Sequence, residues 1–218
     1  MTALTIEVYF DIVCPWCYLG KKRLERALAQ RAELAISTEW RAFELAPDLP
    51  AGGIGRDEYI AAKFGTAERA GRMHAALTGL GLAEGIAFRF DLIKRQPNTE
   101  AGHLLIKAAG ERGLQSALLD ALFRAFFEEG QDLTNEAVLH GLAHSVGLSD
   151  ADIASAYRYG ASLRRDLALR AAIRGVPHYI FGGRFALAGA QDDHVLIRMI
   201  DVMALASDPS AALDRPAS

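Results

Sequence analysis

The sequence predicts an α/β protein whose α/β part is interrupted by a long helical segment, and three observations predict it. First, Leu4–Phe10 (LTIEVYF) is rich in β-branched and aromatic residues, alternates in part, and reads as a buried strand. Behind it, the run from Pro15 to about Ala32 sets Leu19, Leu24, Ala27, Leu28 and Ala32 near helical spacing. Glu33–Leu45 is then extended in character, with Leu34, Ile36, Thr38, Trp40 and Ala42 on one face. A helix joining two such strands makes a βαβ unit with a parallel pair. Second, from Arg56 to about Ala172 helical periodicity dominates and β-branched residues are few. Third, strand character returns at Val176–Phe181 and Arg184–Ala188. A helical domain inserted into an α/β domain is the simplest arrangement that accounts for this order.

Each element has its own signals. Pro47-Asp48-Leu49-Pro50-Ala51-Gly52-Gly53 is dense in turn residues and marks the first boundary. Helices are predicted over Asp57–Phe64, Ala67–Leu80, Ala101–Arg112, Gln115–Glu128, Asn135–Val146, Asp150–Tyr159 and Ser162–Arg174. Thr66 and Ser149 are the N-caps, and Gly65, Gly81, Gly113, Gly130 and Gly147 the stops. No repeat of fixed period is evident. The two late strands flank Gly182-Gly183, a hairpin signal. Pro177 cannot donate in a ladder, so on bare sequence it opens an edge strand. Gly189–Asp193 leads into a last helix from about His194 to Ala206, and the tail Asp208–Ser218 has the small residues and prolines of a frayed end.

Between the first strand and the first helix lies Phe10-Asp11-Ile12-Val13-Cys14-Pro15-Trp16-Cys17, which holds both cysteines of the 218-residue chain. A two-residue separation on the first turn of a helix lets two thiols reach disulfide distance, and the chemistry this suggests is thiol–disulfide exchange. Cys14 sits at or just before the first helical residue, and Pro15 takes a position where a missing N–H does no harm. Free backbone N–H groups and the positive end of the helix dipole favour a thiolate at Cys14, the predicted nucleophile. Cys17, almost a turn further in, is the predicted resolving thiol. Trp16 carries no charge and adds no charge-assisted contact to the pair. Asp11 has two readings on sequence alone: acceptor of the Cys17 proton, or cap of the turn.

Zinc needs a full tetrahedral ligand set, and no second Cys-x-x-Cys or Cys/His cluster accompanies this one. His140 and His144 have metal-ligand spacing, but Gly141 stands where a zinc hydrolase motif has glutamate; no metal is predicted. A static disulfide is disfavoured by the absence of a secretory signal. Gly52-Gly53-Ile54-Gly55 and Gly79-Leu80-Gly81 follow no strand and read as turns. Phe123, Phe126 and Phe127 on one predicted helix read as core.

With 51% hydrophobic residues and a mean hydropathy of +0.10, the chain can bury a substantial core. A net charge of −3, a pI near 6.1 and intermixed charges point away from nucleic acid and anionic membranes. No run approaches the roughly 18 uncharged apolar residues a membrane crossing requires. A cytoplasmic location is expected.

The Cys-Pro-Trp-Cys helix start, the helical insertion and Gly175-Val176-Pro177 before a hairpin together resemble the DsbA-like branch of the thioredoxin superfamily. More narrowly, the chain resembles FrnE-like cytoplasmic proteins. The matching stretches are Phe10–Lys22, Phe43–Pro50, Pro97-Asn98-Thr99 with His103, and Gly175-Val176-Pro177 through Gly189-Ala190-Gln191. The resemblance implies a thioredoxin-like domain over residues 1–46 and 166–218 and a helical insertion domain over 47–165. It implies a cis bond before Pro177, which faces the cysteines, with the Val176 backbone left to pair with an extended substrate. Asn98 and His103 match a stretch lining the cleft between the two domains; on bare sequence they read as a helix cap and a surface residue. His178 stands where relatives often carry a bulky apolar residue, which brings either a second titratable group near the thiols or a half-exposed strand residue.

The implied activity is a protein disulfide oxidoreductase or isomerase acting on thiol- or disulfide-containing clients through a redox-active Cys14–Cys17 disulfide, with no tightly bound cofactor. A rival comes from 2-hydroxychromene-2-carboxylate isomerases and kappa-class glutathione transferases, which are similar in architecture, bind glutathione and generally carry serine in place of the first cysteine. Glutathione is therefore a candidate co-substrate, and a helix N-terminus suits its charges. A peptide-binding chaperone with a vestigial redox pair is the third reading. A monomer and a homodimer are both compatible with the sequence.

Overall fold

The structure is a computed structural model and describes residues 4–160, 163 and 173–207. Strand β1 (Leu4–Phe10) is followed by helix α1 (Pro15–Ala29) and strand β2 (Ile36–Ala42), and β1 and β2 pair in parallel from Leu4 opposite Ile36 to Phe10 opposite Ala42. The predicted βαβ unit is thus present. α1 ends three residues before the predicted end, because Arg31 N–H and Leu34 N–H turn back to the carbonyls of Leu28 and Arg31.

Strand β5 (His178–Phe181) lies antiparallel on the other side of β1, and β6 (Phe185–Ala188) antiparallel beside it, giving the sheet order β2-β1-β5-β6. Gly182 and Gly183 close this hairpin at φ 58° and 66°. Side chains resist that region, so the Gly-Gly pair is what lets the turn follow the strand twist. The last helix, α8 (Asp193–Ser207), packs on α1, β1 and β5 and buries Leu196, Ile200 and Met203.

Between β2 and β5 run α2 (Arg56–Phe64), α3 (Ala67–Ala83), α4 (Glu100–Gly110), α5 (Gln115–Phe127), α6 (Glu136–Ser145) and α7 (Asp150–Ala156), the last continued by a 3-10 turn, Tyr157–Tyr159. The Thr66 hydroxyl accepts from Arg69 N–H, and Ser149 forms a reciprocal cap with Asp152, as the sequence predicts. Gly81 is a correction. It does not stop α3, which runs on to Ala83; its missing side chain instead admits the Phe88 ring. A second difference is a short antiparallel pair, β3 (Ile54–Gly55) with β4 (Arg95–Gln96), too brief to carry a period in the sequence.

Phe123, Phe126 and Phe127 are core, as expected, and Tyr18 of α1 stacks on Phe123 at 4.9 Å. The helical segment is joined to α1 by ions as well. Buried Lys21 reaches Glu25 and, at 2.6 Å, Asp120 of α5, while Arg23 and Arg26 both pair with Glu84. The predicted Ser162–Arg174 helix, and with it the boundary near residue 166, falls almost wholly outside the described residues, as does the tail from 208. Among the described residues no helix is long and apolar enough to cross a membrane.

Candidate functional site

The site forms where β1 ends and α1 begins. Cys14 is the N-cap of α1 in extended conformation, φ −97° and ψ 110°, and Pro15 follows in the first helical turn. Its carbonyl accepts from Cys17 N–H at 2.9 Å and Tyr18 N–H at 3.3 Å, which opens the helical ladder. The sulfur does no capping, and its S–H donates to the Val176 carbonyl at 3.6 Å. Both thiols are free and buried, whereas Trp16 between them is 39% exposed. A substrate therefore meets Trp16 and the edge of Cys14 before it meets Cys17.

Cys17 sits in a different field from an ordinary thiol. Burial is the main cause that pushes its pKa well up, the Cys14 thiol adds to it by hydrogen bond and charge, and a backbone contact from Asp11 pulls the other way. Tyr179, fully buried with its hydroxyl unpartnered, lies in the field of both cysteines, and burial raises its pKa as well. The Val176–Pro177 bond is cis, as the resemblance implies, and the Pro177 ring faces Gly20 of α1.

Asp11 neither caps α1 nor reaches toward solvent. Its backbone carbonyl accepts from Cys14 N–H at 3.0 Å, its Oδ2 accepts from Leu45 N–H at 2.7 Å, and its Oδ1 faces His103 Nε2 at 3.4 Å without a hydrogen bond. His103 is buried edge-on against Phe10 at 5.2 Å, which corrects its bare reading as a surface residue. Helix α4 comes this close because residue 102 is glycine; a side chain there would collide with Ile12. Asn98 does act at the helix start, since its Oδ1 accepts from Glu100 N–H at 2.9 Å, and its Nδ2 donates to Leu49 O at 2.8 Å. It so ties α4 to the loop after β2.

His178 is half-buried, meets Tyr9 edge-on at 6.4 Å, and has its pKa lowered by burial. With Arg174, Gly175, Val176, Ala188 and Gly189 it lines a cavity of about 500 Å³ beside the cis proline. His144 pairs with Asp150 at 3.1 Å, and among the described residues no His, Cys, Asp and Glu group could hold a metal. Sequence reading passed over Gly20, Gly102 and Tyr179. A glycine inside a helical pattern is compatible with a close approach by another segment, but Gly71, Gly79 and Gly141 have open space around them, so residue type alone does not single out Gly20 and Gly102.

A four-stranded mixed sheet with a Cys-x-x-Cys at its first helix and a cis proline facing it defines a thioredoxin-like protein. The DSBA-like thioredoxin domain matches residues 5–201, and the chain belongs to that family. A probable DsbA oxidoreductase from Streptomyces coelicolor, SCO1869, is similar at TM-score 0.82 and 28% identity, over 99% of this chain and 92% of that one. YwbO of Bacillus subtilis is 27% identical over 155 residues, 69% of this chain and 70% of YwbO. A structure of the cytosolic disulfide reductase DsbM from Pseudomonas aeruginosa with GSH has the same fold, at TM-score 0.65 and 19% identity, covering 93% and 97% of the two chains.

Proposed function

We propose that this protein is a thiol–disulfide oxidoreductase in which Cys14 attacks and Cys17 resolves. The observation that carries the reading is the asymmetry of the pair: Cys14 stands at a helix start with its sulfur turned to the Val176 carbonyl, and Cys17 lies sealed below it with its pKa raised. The Cys14 thiolate attacks one sulfur of a client disulfide, a Cys14–client bond forms, and the other client sulfur leaves as a thiolate. Cys17, giving up its proton, then attacks the Cys14 sulfur. The Cys14–Cys17 disulfide forms, and the second client thiol is released. The client is reduced by two electrons and the pair oxidised; the reverse sequence oxidises the client.

A thiolate on Cys17 is disfavoured until that second attack, so the mixed disulfide lasts long enough for the client to be held. Val176, with cis Pro177, supplies backbone beside the reacting sulfur, where an extended peptide can pair. Asp11, Pro15, Trp16, Asn98, His103 and His178 are proposed as the surroundings of the pair, of which Trp16 offers the exposed surface. The domain division at residues 46 and 166 is part of the same reading.

Glutathione is the proposed small-thiol partner. Arg174, Gly175 and Gly189 line a cavity that includes Val176, whose carbonyl the Cys14 sulfur meets, and a carboxylate-bearing tripeptide thiol has a cation to meet there. The presence of cysteine at residue 14 favours exchange over isomerase chemistry. The cytoplasm, where glutathione is reducing, is the proposed compartment.

The test is equilibration of the pair against reduced and oxidised glutathione, each species identified by mass. A reversible two-electron couple between about −270 and −120 mV is expected. Insulin reduction is expected to vanish in Cys14→Ser. Full activity in that variant, or glutathione held without exchange, would overturn the reading.

A further inference from the structure

Away from the cysteines, a cavity of about 620 Å³ lies among α2, α3 and the segment before β4. That volume is within the range of small-molecule sites, roughly 300–1,000 Å³. Its walls divide by chemistry. Phe88 and Phe90 stack at 5.1 Å, the His74 ring stacks on Phe90 at 4.1 Å, and Ile60 continues the apolar side. Arg56 and Lys94 bring positive charge to the same space.

Arg56 is the unusual member. Arg23, Arg26, Arg31 and Arg112 each rest on a carboxylate. Arg56 instead gives Nη1 to the Gln96 carboxamide, lies over the Tyr59 ring at 5.4 Å, and keeps a buried Nε with no partner. Burial lowers its pKa, and among the described residues no carboxylate pairs with it. His74 Nε2 is likewise buried and unpartnered. Burial lowers the pKa of that ring, and the nearby Arg56 charge lowers it further. Lys94 Nζ donates to the Asp91 carbonyl at 2.9 Å, and its charge also acts on the Asp91 carboxylate. A desolvated guanidinium beside an orphaned ring nitrogen is costly unless an anion meets it.

We propose that this cavity binds a small organic carboxylate with an aromatic or linear apolar body, the carboxylate set against Arg56 and Lys94 with His74 donating, and the body against Phe88 and Phe90. Two acidic residues set the charge it accepts. Asp91 is already engaged by Arg89 at 2.9 and 2.8 Å, and Asp57 is exposed on the first turn of α2. One further negative charge is thus balanced, and a compact dianion such as phosphate is not, besides leaving the aromatic wall unused. The thiols lie beyond Phe88, which meets Tyr18 edge-on at 6.0 Å, so the site does not depend on their chemistry.

The test titrates the full chain with 3-phenylpropanoate, 3-phenylpropanamide and inorganic phosphate by calorimetry, while NMR follows the His74 ring protons. The acid is expected to bind with a Kd below about 1 mM and to shift the His74 signals, with the amide at least about tenfold weaker. Arg56→Gln is expected to weaken binding about tenfold or more; should its melting curve change, His74→Leu is the second variant, with the same expectation. The Cys14→Ser, Cys17→Ser chain is expected to bind as the unaltered one does. The proposal is overturned by no binding at 10-fold higher concentration, about 10 mM, by equal binding of amide and acid, or by phosphate binding in preference to the acid. Undiminished binding in both variants, or loss of binding with the cysteines, also overturns it. None of these outcomes bears on the redox reading, which stands or falls on the glutathione equilibrium.

Discussion

His103 of α4 points Nε2 at Asp11 Oδ1 across 3.4 Å, and neither side chain has any exposed surface. Asp11 Oδ1 and both ring nitrogens of His103 lack a hydrogen-bond partner in a place without solvent, next to the turn that carries Cys14. Each makes the other tolerable, because a buried carboxylate is least costly beside a group able to donate to it.

Removing one partner alone therefore exposes the cost. His103→Leu is expected to lower stability by about 1–3 kcal/mol in urea unfolding. Adding Asp11→Asn, which retains an acceptor for Leu45 N–H but carries no charge, is expected to recover part of that loss. Additive losses in the double variant would mean the two residues do not interact.

Gly20 makes a second prediction. Alanine is better than glycine inside a helix by about 1 kcal/mol. Here, however, a side chain would run into the Tyr179 hydroxyl and lie 3.0 Å from the Pro177 ring. Overpacking costs about 1–3 kcal/mol, so Gly20→Ala is expected to destabilise on balance and to push the cis-proline loop away from the cysteines. Because the closest clash is with the hydroxyl oxygen, Tyr179→Phe in the same chain is expected to restore much of the stability, as read from thermal melts.

The contrast between residues 20 and 14 explains how much was legible in the sequence. The cysteine spacing, the β1 pattern and the Gly-Gly hairpin are local signals, and each lands where the structure has it. Gly20, Gly102 and His103 act across long sequence separations. The burial of His103 follows from α4 lying against Ile12, and that approach is permitted by Gly102 rather than announced by it. Gly81 shows the same ambiguity from the other side: the residue type says helix stop, but the neighbour that decides is Phe88, which no period could place. Arg56 was equally hidden, since the absence of a carboxylate partner among the described residues is a property of the packed chain.

The raised pKa of Cys17 makes stability fall with rising pH. In the unfolded chain a thiol ionises near about pH 8.5. The folded pKa lies above this, so between the two the native state holds one proton more than the unfolded state. Stability contributed by the neutral thiol is complete below the unfolded pKa and is lost as pH climbs, by up to about 1.4 kcal/mol per pH unit. Tyr18 and Tyr179 are raised too, but add to the slope only above about pH 10, where tyrosine ionises in the unfolded chain. Urea unfolding at intervals from pH 8 to 9.5 is expected to give a slope that Cys17→Ala makes shallower, by about a quarter of a proton at pH 8 and by close to one proton at pH 9.5. An unchanged slope would mean that Cys17 does not hold its proton in the fold.

The same proton governs the last prediction, the fate of the mixed disulfide. With serine at residue 17 the second attack is impossible, because a hydroxyl does not displace a thiol from sulfur. Cys14 remains reactive, so Cys17→Ser incubated with oxidised glutathione is expected to accumulate one glutathione per chain, seen by mass and mapped to Cys14. Cys14→Ser is expected to label far more slowly at Cys17, which is buried and kept protonated. In the unaltered chain, release of glutathione is expected to quicken with pH by up to about tenfold per unit while the resolving step limits the rate, because only the Cys17 thiolate attacks. A flat release profile would assign the limiting step to something other than Cys17 ionisation. Equal labelling of the two single variants would remove the distinction between attacking and resolving thiols on which the proposed cycle rests.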